Sequence, residues 1–171
     1  MIHIYCGDGK GKTTAALGLA VRAAGSGMRV RIMQFLKGSD TSELAGLAKI
    51  PEITVRRCDR DYGFTFRMTD EDKAAITRCH NAMLTDAAEL LRSGSVQMLI
   101  LDEFCAAYNT GLLDRKLAET LVQTCPDGTE LILTGRDPAE VFLAQADYVS
   151  EIHAVKHPYQ KGIAARRGIE Y

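Results

Sequence analysis

The stretch Ile4-Tyr5-Cys6-Gly7-Asp8-Gly9-Lys10-Gly11-Lys12-Thr13-Thr14 decides the fold. It joins a short apolar strand, Ile2 to Cys6, to a helix that we expect from Thr13 to Ala24. Glycines in such a loop let successive backbone amides turn toward a phosphate chain, and the helix N-terminus adds partial positive charge. A glycine-rich loop between a strand and a helix is the setting of a P-loop, so the sequence predicts a nucleoside triphosphate site.

Individual loop residues have different predicted roles in binding the nucleotide. Lys12 is predicted to place a full charge on the phosphates, and the Thr13 hydroxyl to ligate Mg²⁺. The expected ATP-binding residues of this loop are Gly7, Asp8, Gly9, Lys10, Gly11, Lys12, Thr13 and Thr14. The match to the usual pattern is offset, because Cys6 stands where the first glycine is expected and Lys10 is an additional lysine.

A second apolar segment, Val96 to Leu101, ends in Asp102 and Glu103. A carboxylate at the C-terminal end of a buried parallel strand lies beside the P-loop and holds Mg²⁺ directly or through water. Asp102 and Glu103 are therefore predicted metal ligands with Thr13. Glu103 has a second interpretation, as the acid that activates water in a generic ATPase.

Strand-like and helix-like segments alternate along the chain, which predicts an α/β fold with a mostly parallel central sheet flanked by helices, of RecA-like P-loop NTPase type. We expect one domain over residues 1–171. The remaining predicted strands are 29–36, 53–57, 130–133 and 148–155. The remaining predicted helices are 42–49, a long helix capped by Thr69 and ended by Ser93-Gly94, 114–124 capped by Asp114, and a helix opened by Asp137-Pro138 that runs to Ala146.

Composition excludes several classes of function. The formal net charge of −1 argues against nucleic acid as a partner, and no apolar run reaches the length of a membrane span. The N-terminus does not resemble a signal peptide, so we expect a cytoplasmic protein. The five cysteines show no C-x-x-C spacing, and we expect them to be reduced.

Several segments together resemble the ATP:corrinoid adenosyltransferases of cobalamin synthesis and salvage. The offset P-loop with its additional lysine is one of them. The others are Gln34-Phe35-Leu36-Lys37-Gly38, Gly63-Phe64-Thr65-Phe66, Leu101-Asp102-Glu103, Thr134-Gly135-Arg136, Val155-Lys156-His157 and Gly168-Ile169-Glu170-Tyr171. They occur in order over nearly the whole chain. Family members often carry a segment before the first strand, and we expect any lid it forms to be absent here or replaced.

The resemblance implies transfer of the 5′-deoxyadenosyl group of ATP to the cobalt of a Co(I) corrinoid, with tripolyphosphate as the leaving group. Lys12 would then be catalytic through the charge that develops on that leaving group, and Arg136 would be a further ATP contact. Glu103 would act as a metal ligand, because Co(I) needs no general base. ATP and the corrinoid are the substrates implied, with Mg²⁺ as cofactor, and the partners implied are a second copy of the chain and an electron donor such as a reduced flavoprotein.

Phe64 and Phe66 are the corrinoid-binding and catalytic candidates implied by the resemblance. Aromatic rings packed under the corrin would exclude the axial ligand of Co(II) and so ease its reduction. The alternative is that both rings anchor their loop to the core. For the basic segment from His153 to Arg167, a solvated tail and a wall of the active site both remain open.

Two other functions remain open at this point. One is a generic P-loop ATPase or kinase. The other is a non-catalytic nucleotide-binding regulator that changes conformation without turnover.

Overall fold

Six parallel strands form the sheet of the computed structural model, which describes residues 1–38, 41–63 and 65–171. The strands are β1 Ile2–Cys6, β2 Val30–Gln34, β3 Ile53–Arg57, β4 Met98–Asp102, β5 Glu130–Thr134 and β6 Tyr148–Glu151. Their order across the sheet is β3-β2-β4-β5-β1-β6, and every neighbouring pair is parallel. All strands therefore end at the same edge of the sheet, where the P-loop lies.

Helices connect these strands, as the alternating pattern predicted. They are α1 Lys12–Gly25, α2 Glu43–Leu47, α3 Asp70–Ser93, α4 Phe104–Asn109, α5 Arg115–Gln123 and α6 Glu140–Leu143, with 3-10 turns at Thr65–Arg67 and Pro158–Lys161. The predicted ends of α3 are confirmed. Thr69 and Asp72 form a reciprocal capping box, and Gly94 ends the helix in the left-handed region.

The two faces of the sheet are covered by different helices, and consecutive strand residues alternate between them. Leu99, Leu101 and Leu131 belong to a larger apolar cluster that includes residues of α3 and α5. Ile100 and Ile132 belong to a second cluster with the alanines of α1. Burial on both faces explains why β4 is apolar throughout, as expected for a central parallel strand.

The structure corrects the bounds of several predicted elements and adds one helix. The last strand ends at Glu151 rather than at Val155. Strand β2 ends at Gln34, before Leu36, which has a φ of 56° and cannot continue a strand. The last short helix begins after Ala139, because Asp137 has a φ of 48° and so does not act as its N-cap. Helix α4 was not predicted at all; its six residues are too few for a helical period to show.

The expectation of reduced cysteines is corrected at one pair. Cys58 and Cys79 form a disulfide that joins the end of β3 to helix α3, across 21 residues of sequence. No sequence signal pointed to this pair, since their approach depends on how α3 packs beside β3. Among the described residues, no helix has the length and apolar character needed to cross a membrane.

Candidate active site

The P-loop is held in place by the chain segment that follows β6. The Gly9 amide donates to the Ile152 carbonyl at 2.8 Å, and the Ala154 amide donates to Asp8 Oδ1 at 3.1 Å. The second contact lowers the pKa of Asp8. A Cβ at Gly7 would lie 2.4 Å from the Ile152 oxygen, so only glycine fits there at its φ of 100°.

This support leaves part of the loop backbone available for a ligand. Within the described part of the chain, the amides of Lys10 and Gly11 donate no hydrogen bond. Lys12 is 9% exposed, and its Nζ donates to the Gly9 carbonyl at 2.8 Å. The lysine is thus already folded over the loop, where a phosphate chain would meet both its charge and the unbonded amides.

Asp102 is the polar centre of the site. It ends β4 and is fully buried, and four side chains donate to its two oxygens. Oδ1 accepts from Thr13 Oγ1 at 2.8 Å and from Thr134 Oγ1 at 2.7 Å. Oδ2 accepts from Lys37 Nζ at 2.6 Å and from Gln34 Nε2 at 3.3 Å. The strand ends of β2, β4 and β5 and the start of α1 therefore meet at one carboxylate.

Glu103 follows with a backbone conformation that non-glycine residues seldom adopt. Its φ is 58°, and its amide donates to Thr134 Oγ1 at 2.9 Å. Burial, with Asp102 beside it, raises the pKa of its carboxyl group. Leu36 and Asp137 share the positive φ, so the chain turns in the same unusual way after three adjacent strands. Such conformations cost energy and cluster at functional sites, which marks this edge as the site.

A cleft of about 220 Å³ opens beside the P-loop. Residues from four parts of the chain line it: Asp8 to Thr14, Glu103, Arg136, and three tail residues, His157, Ile169 and Glu170. Arg136, which the sequence analysis named as an ATP contact, lines this cleft together with the P-loop. Of the basic segment from His153 to Arg167, His157 alone lines this cleft among the described residues, while Ile169 and Glu170 follow that segment in sequence.

The loop that precedes α3 lies against the turn that follows β2. A Cβ at Gly38 would lie 2.2 Å from the Asp61 Cα, so the two backbones touch. Phe66 lies in the first of the two 3-10 turns, Thr65–Arg67, and is 77% exposed, with the Arg67 guanidinium 5.5 Å from its ring centroid. Phe64 lies outside the described residues. Phe66 does not line the P-loop cleft.

Sequence reasoning missed the other partners of Asp102. The sequence analysis gave no individual role to Gln34, Lys37 or Thr134, which entered it only within segments that resemble the family. Each of the three stands at or just beyond the C-terminal end of a parallel strand, the edge at which ligands bind in open α/β sheets. That position is the signal by which they could have been found.

Comparison with known proteins agrees with this geometry. The family model described as "ATP:corrinoid adenosyltransferase BtuR/CobO/CobP" matches residues 1–171. A corrinoid adenosyltransferase of Pseudomonas aeruginosa is 36% identical over 100% of this chain and 83% of its own length. That of Escherichia coli K12 is 33% identical over 100% of this chain and 85% of its own.

A solved structure shows the same fold at low sequence identity. The KaiC-like protein PH0186 of Pyrococcus horikoshii aligns with a TM-score of 0.56 at 15% identity. The alignment covers 89% of this chain and 71% of that one.

Proposed function

The chain belongs to the ATP:corrinoid adenosyltransferase family, and we propose a division of that reaction among its described residues. The reaction joins adenosyl to cobalt. The two electrons of Co(I) form the bond to the ribose C5′, the C5′–O bond breaks, and its electron pair leaves on tripolyphosphate. Cobalt is itself the nucleophile, so the protein has to bind, orient and stabilise the leaving group. Such a task suits a site rich in phosphate-binding groups.

The P-loop is proposed to stabilise the leaving group. Lys12 and Lys10, the unbonded loop amides and Arg136 all face one cleft, and charge accumulates on the triphosphate as the C5′–O bond breaks. Fixed donors placed where charge develops stabilise a transition state. The buried, preformed position of Lys12 supports its assignment as the catalytic member of this set.

Mg²⁺ is proposed to be held by Thr13, Asp102 and Glu103. The donor set fits the ion, because all three offer the oxygen atoms that Mg²⁺ prefers. A cation already stands between two of them, since Lys37 Nζ lies 2.6 Å from Asp102 Oδ2 and 3.4 Å from Thr13 Oγ1. When bound, the metal would neutralise charge on the triphosphate.

Phe64 and Phe66 are proposed to contact the corrinoid. The exposure of Phe66 supports this over the alternative that it anchors its loop to the core. The contact between Gly38 and Asp61 also places the Phe66 loop against the turn that carries Lys37. A corrinoid on this loop would therefore lie on the side of the site where β2 ends.

The proposal includes a homodimer, a cytoplasmic location and an external electron donor such as a reduced flavoprotein. Strand β6 is an edge strand whose four residues are all exposed, and its Tyr148 and Val149 offer apolar surface that a second copy would cover. Light scattering coupled to size exclusion measures this association.

In the cytoplasm the Cys58–Cys79 pair would face reducing conditions, so its redox state in cells tests the location.

The identity of the products tests the proposed reaction. We expect protein incubated with ATP, Mg²⁺ and chemically reduced cobalamin to form a light-sensitive cobalt–carbon product, with one tripolyphosphate released for each. Lys12→Ala should lose about 100- to 1,000-fold of this rate, the usual cost of one such donor. The matched control is Lys49→Ala, at an exposed lysine, which should behave as wild type. ADP formed without corrinoid, and no tripolyphosphate, would contradict the proposal.

A further inference from the structure

We propose that Lys37 occupies the metal position of the nucleotide-free enzyme, so that a divalent cation enters only together with the triphosphate. The inference rests on the proposed metal site and deepens it by assigning a residue that excludes the metal. Lys37 acts through Asp102 and Thr13, and it is therefore a positioning residue for the reaction.

The contacts of the lysine carry this inference. Lys37 Nζ lies 2.6 Å from Asp102 Oδ2 and 3.4 Å from Thr13 Oγ1, two of the proposed metal ligands. An ammonium group and a metal ion cannot share that space. Asp102 is fully buried, and among the described residues its one ion pair is with Lys37. A buried carboxylate needs a cation, and Lys37 meets that need before the metal arrives.

The backbone is built to present this lysine. Leu36, directly before it, has a φ of 56°, and its amide donates to His80 Nε2 at 3.3 Å. The Arg57 Nε donates to the Lys37 carbonyl at 3.2 Å. At Gly38, directly after it, a side chain would strike the Asp61 backbone. These contacts fix the backbone on both sides of Lys37. The fold itself therefore directs the lysine side chain toward Asp102.

The lysine is also able to leave. Its side chain is 22% exposed, whereas that of Asp102 is 0% exposed. A four-carbon stem with an exposed side swings more easily than the carboxylate it pairs with. Asp102 would keep its bonds from Thr134 and Gln34 during the exchange. A metal that arrives with a polyphosphate brings enough positive charge to replace the ammonium, and the released lysine then lies next to the anion.

Binding of Mn²⁺, followed by electron paramagnetic resonance, tests the exchange without any turnover. Wild-type protein should bind Mn²⁺ tightly only when tripolyphosphate is present. Lys37→Met keeps the stem and removes the charge, so it should bind Mn²⁺ alone at least about tenfold more tightly than wild type, a difference of about 1.4 kcal/mol. Lys37→Arg keeps the charge and should exclude Mn²⁺ as wild type does.

Matched variants show whether the metal sits at this carboxylate. Lys49→Met removes an exposed lysine elsewhere and should leave Mn²⁺ binding unchanged. Adding Asp102→Asn to Lys37→Met should abolish the new Mn²⁺ affinity. Without metal, Lys37→Met should unfold about 6–20 °C below wild type, and Mn²⁺ alone should recover much of that loss.

The failures of the two proposals are distinguishable. Wild-type protein that binds Mn²⁺ alone as tightly as Lys37→Met does would overturn the role of Lys37 and leave the metal site standing. Wild-type protein that binds no Mn²⁺ even with tripolyphosphate would overturn the metal site itself. If Lys37→Met does not fold, Lys37→Arg and wild type still decide the matter, since tight Mn²⁺ binding to either without polyphosphate contradicts the inference.

Discussion

Replacing Thr134 by valine should weaken both the fold and the active site. Thr134 ends β5 and is fully buried. Its Oγ1 donates to Asp102 Oδ1 at 2.7 Å and accepts the Glu103 amide at 2.9 Å. Valine has nearly the same shape, so the change removes these two hydrogen bonds and little else.

The expected cost follows from the two partners left behind. A hydrogen bond to a charged group contributes about 1.5–3 kcal/mol, and a buried amide without a partner costs about 1–3 kcal/mol. The added methyl group recovers about 0.8 kcal/mol. Thr134→Val should therefore lower the free energy of unfolding by about 2–5 kcal/mol, or the melting midpoint by roughly 4–20 °C for a chain of this size.

The same change should impair the reaction through Asp102 and Glu103. Groups that orient metal ligands typically contribute about 10- to 100-fold to metal affinity or activity. Urea unfolding measures the stability, and formation of the cobalt–carbon product measures the rate. Thr134→Ser keeps the hydroxyl and should stay within about 1 kcal/mol of wild type.

A surface threonine gives the control for the substitution itself. Thr124 Oγ1 donates to the Thr120 carbonyl of its own helix and is exposed, so Thr124→Val should change stability by less than about 0.5 kcal/mol. If Thr134→Val were equally harmless and kept full turnover, the assignment of Thr134 as the support of Asp102 would be refuted.

Three further predictions concern other parts of the molecule. Reduction of the Cys58–Cys79 disulfide, or Cys79→Ser, should lower the free energy of unfolding by about 2–4 kcal/mol, and a reductant should then have no further effect on the variant. Burial lowers the pKa of His80, so the unfolded chain takes up the proton at a higher pH than the folded protein does. The free energy of unfolding should therefore fall as the pH drops below about 6.5, by at most about 1.4 kcal/mol per pH unit. Urea titrations at several pH values measure this dependence on pH, which a His80→Gln variant should lack. Phe66→Ala should slow adenosylation more than about tenfold (1.4 kcal/mol of barrier) when bound Co(II) must be reduced by a weak reductant. The rate should fall much less when Co(I) is supplied already reduced. Equal losses of rate under the two conditions would contradict a role of Phe66 in reduction.

The main features of the fold were readable because they are local. The P-loop needs glycines, lysine and threonine in consecutive positions, and the caps at Thr69 and Asp114 need partners three residues away. The apolar run of β4 identifies a strand buried on both faces. Each of these patterns is complete within a short segment, so the sequence alone determined the parallel α/β sheet and the phosphate loop.

The tertiary structure decided what meets at Asp102. Lys37, 65 residues away in sequence, and Thr134, 32 residues away, reach its carboxylate because β2 and β5 are its neighbours in the sheet. The order of parallel strands is set by the packing of the connecting helices, which no short pattern encodes. The Cys58–Cys79 pair and the approach of Glu170 to the P-loop cleft have the same origin, contacts between segments whose distance in sequence carries no signal.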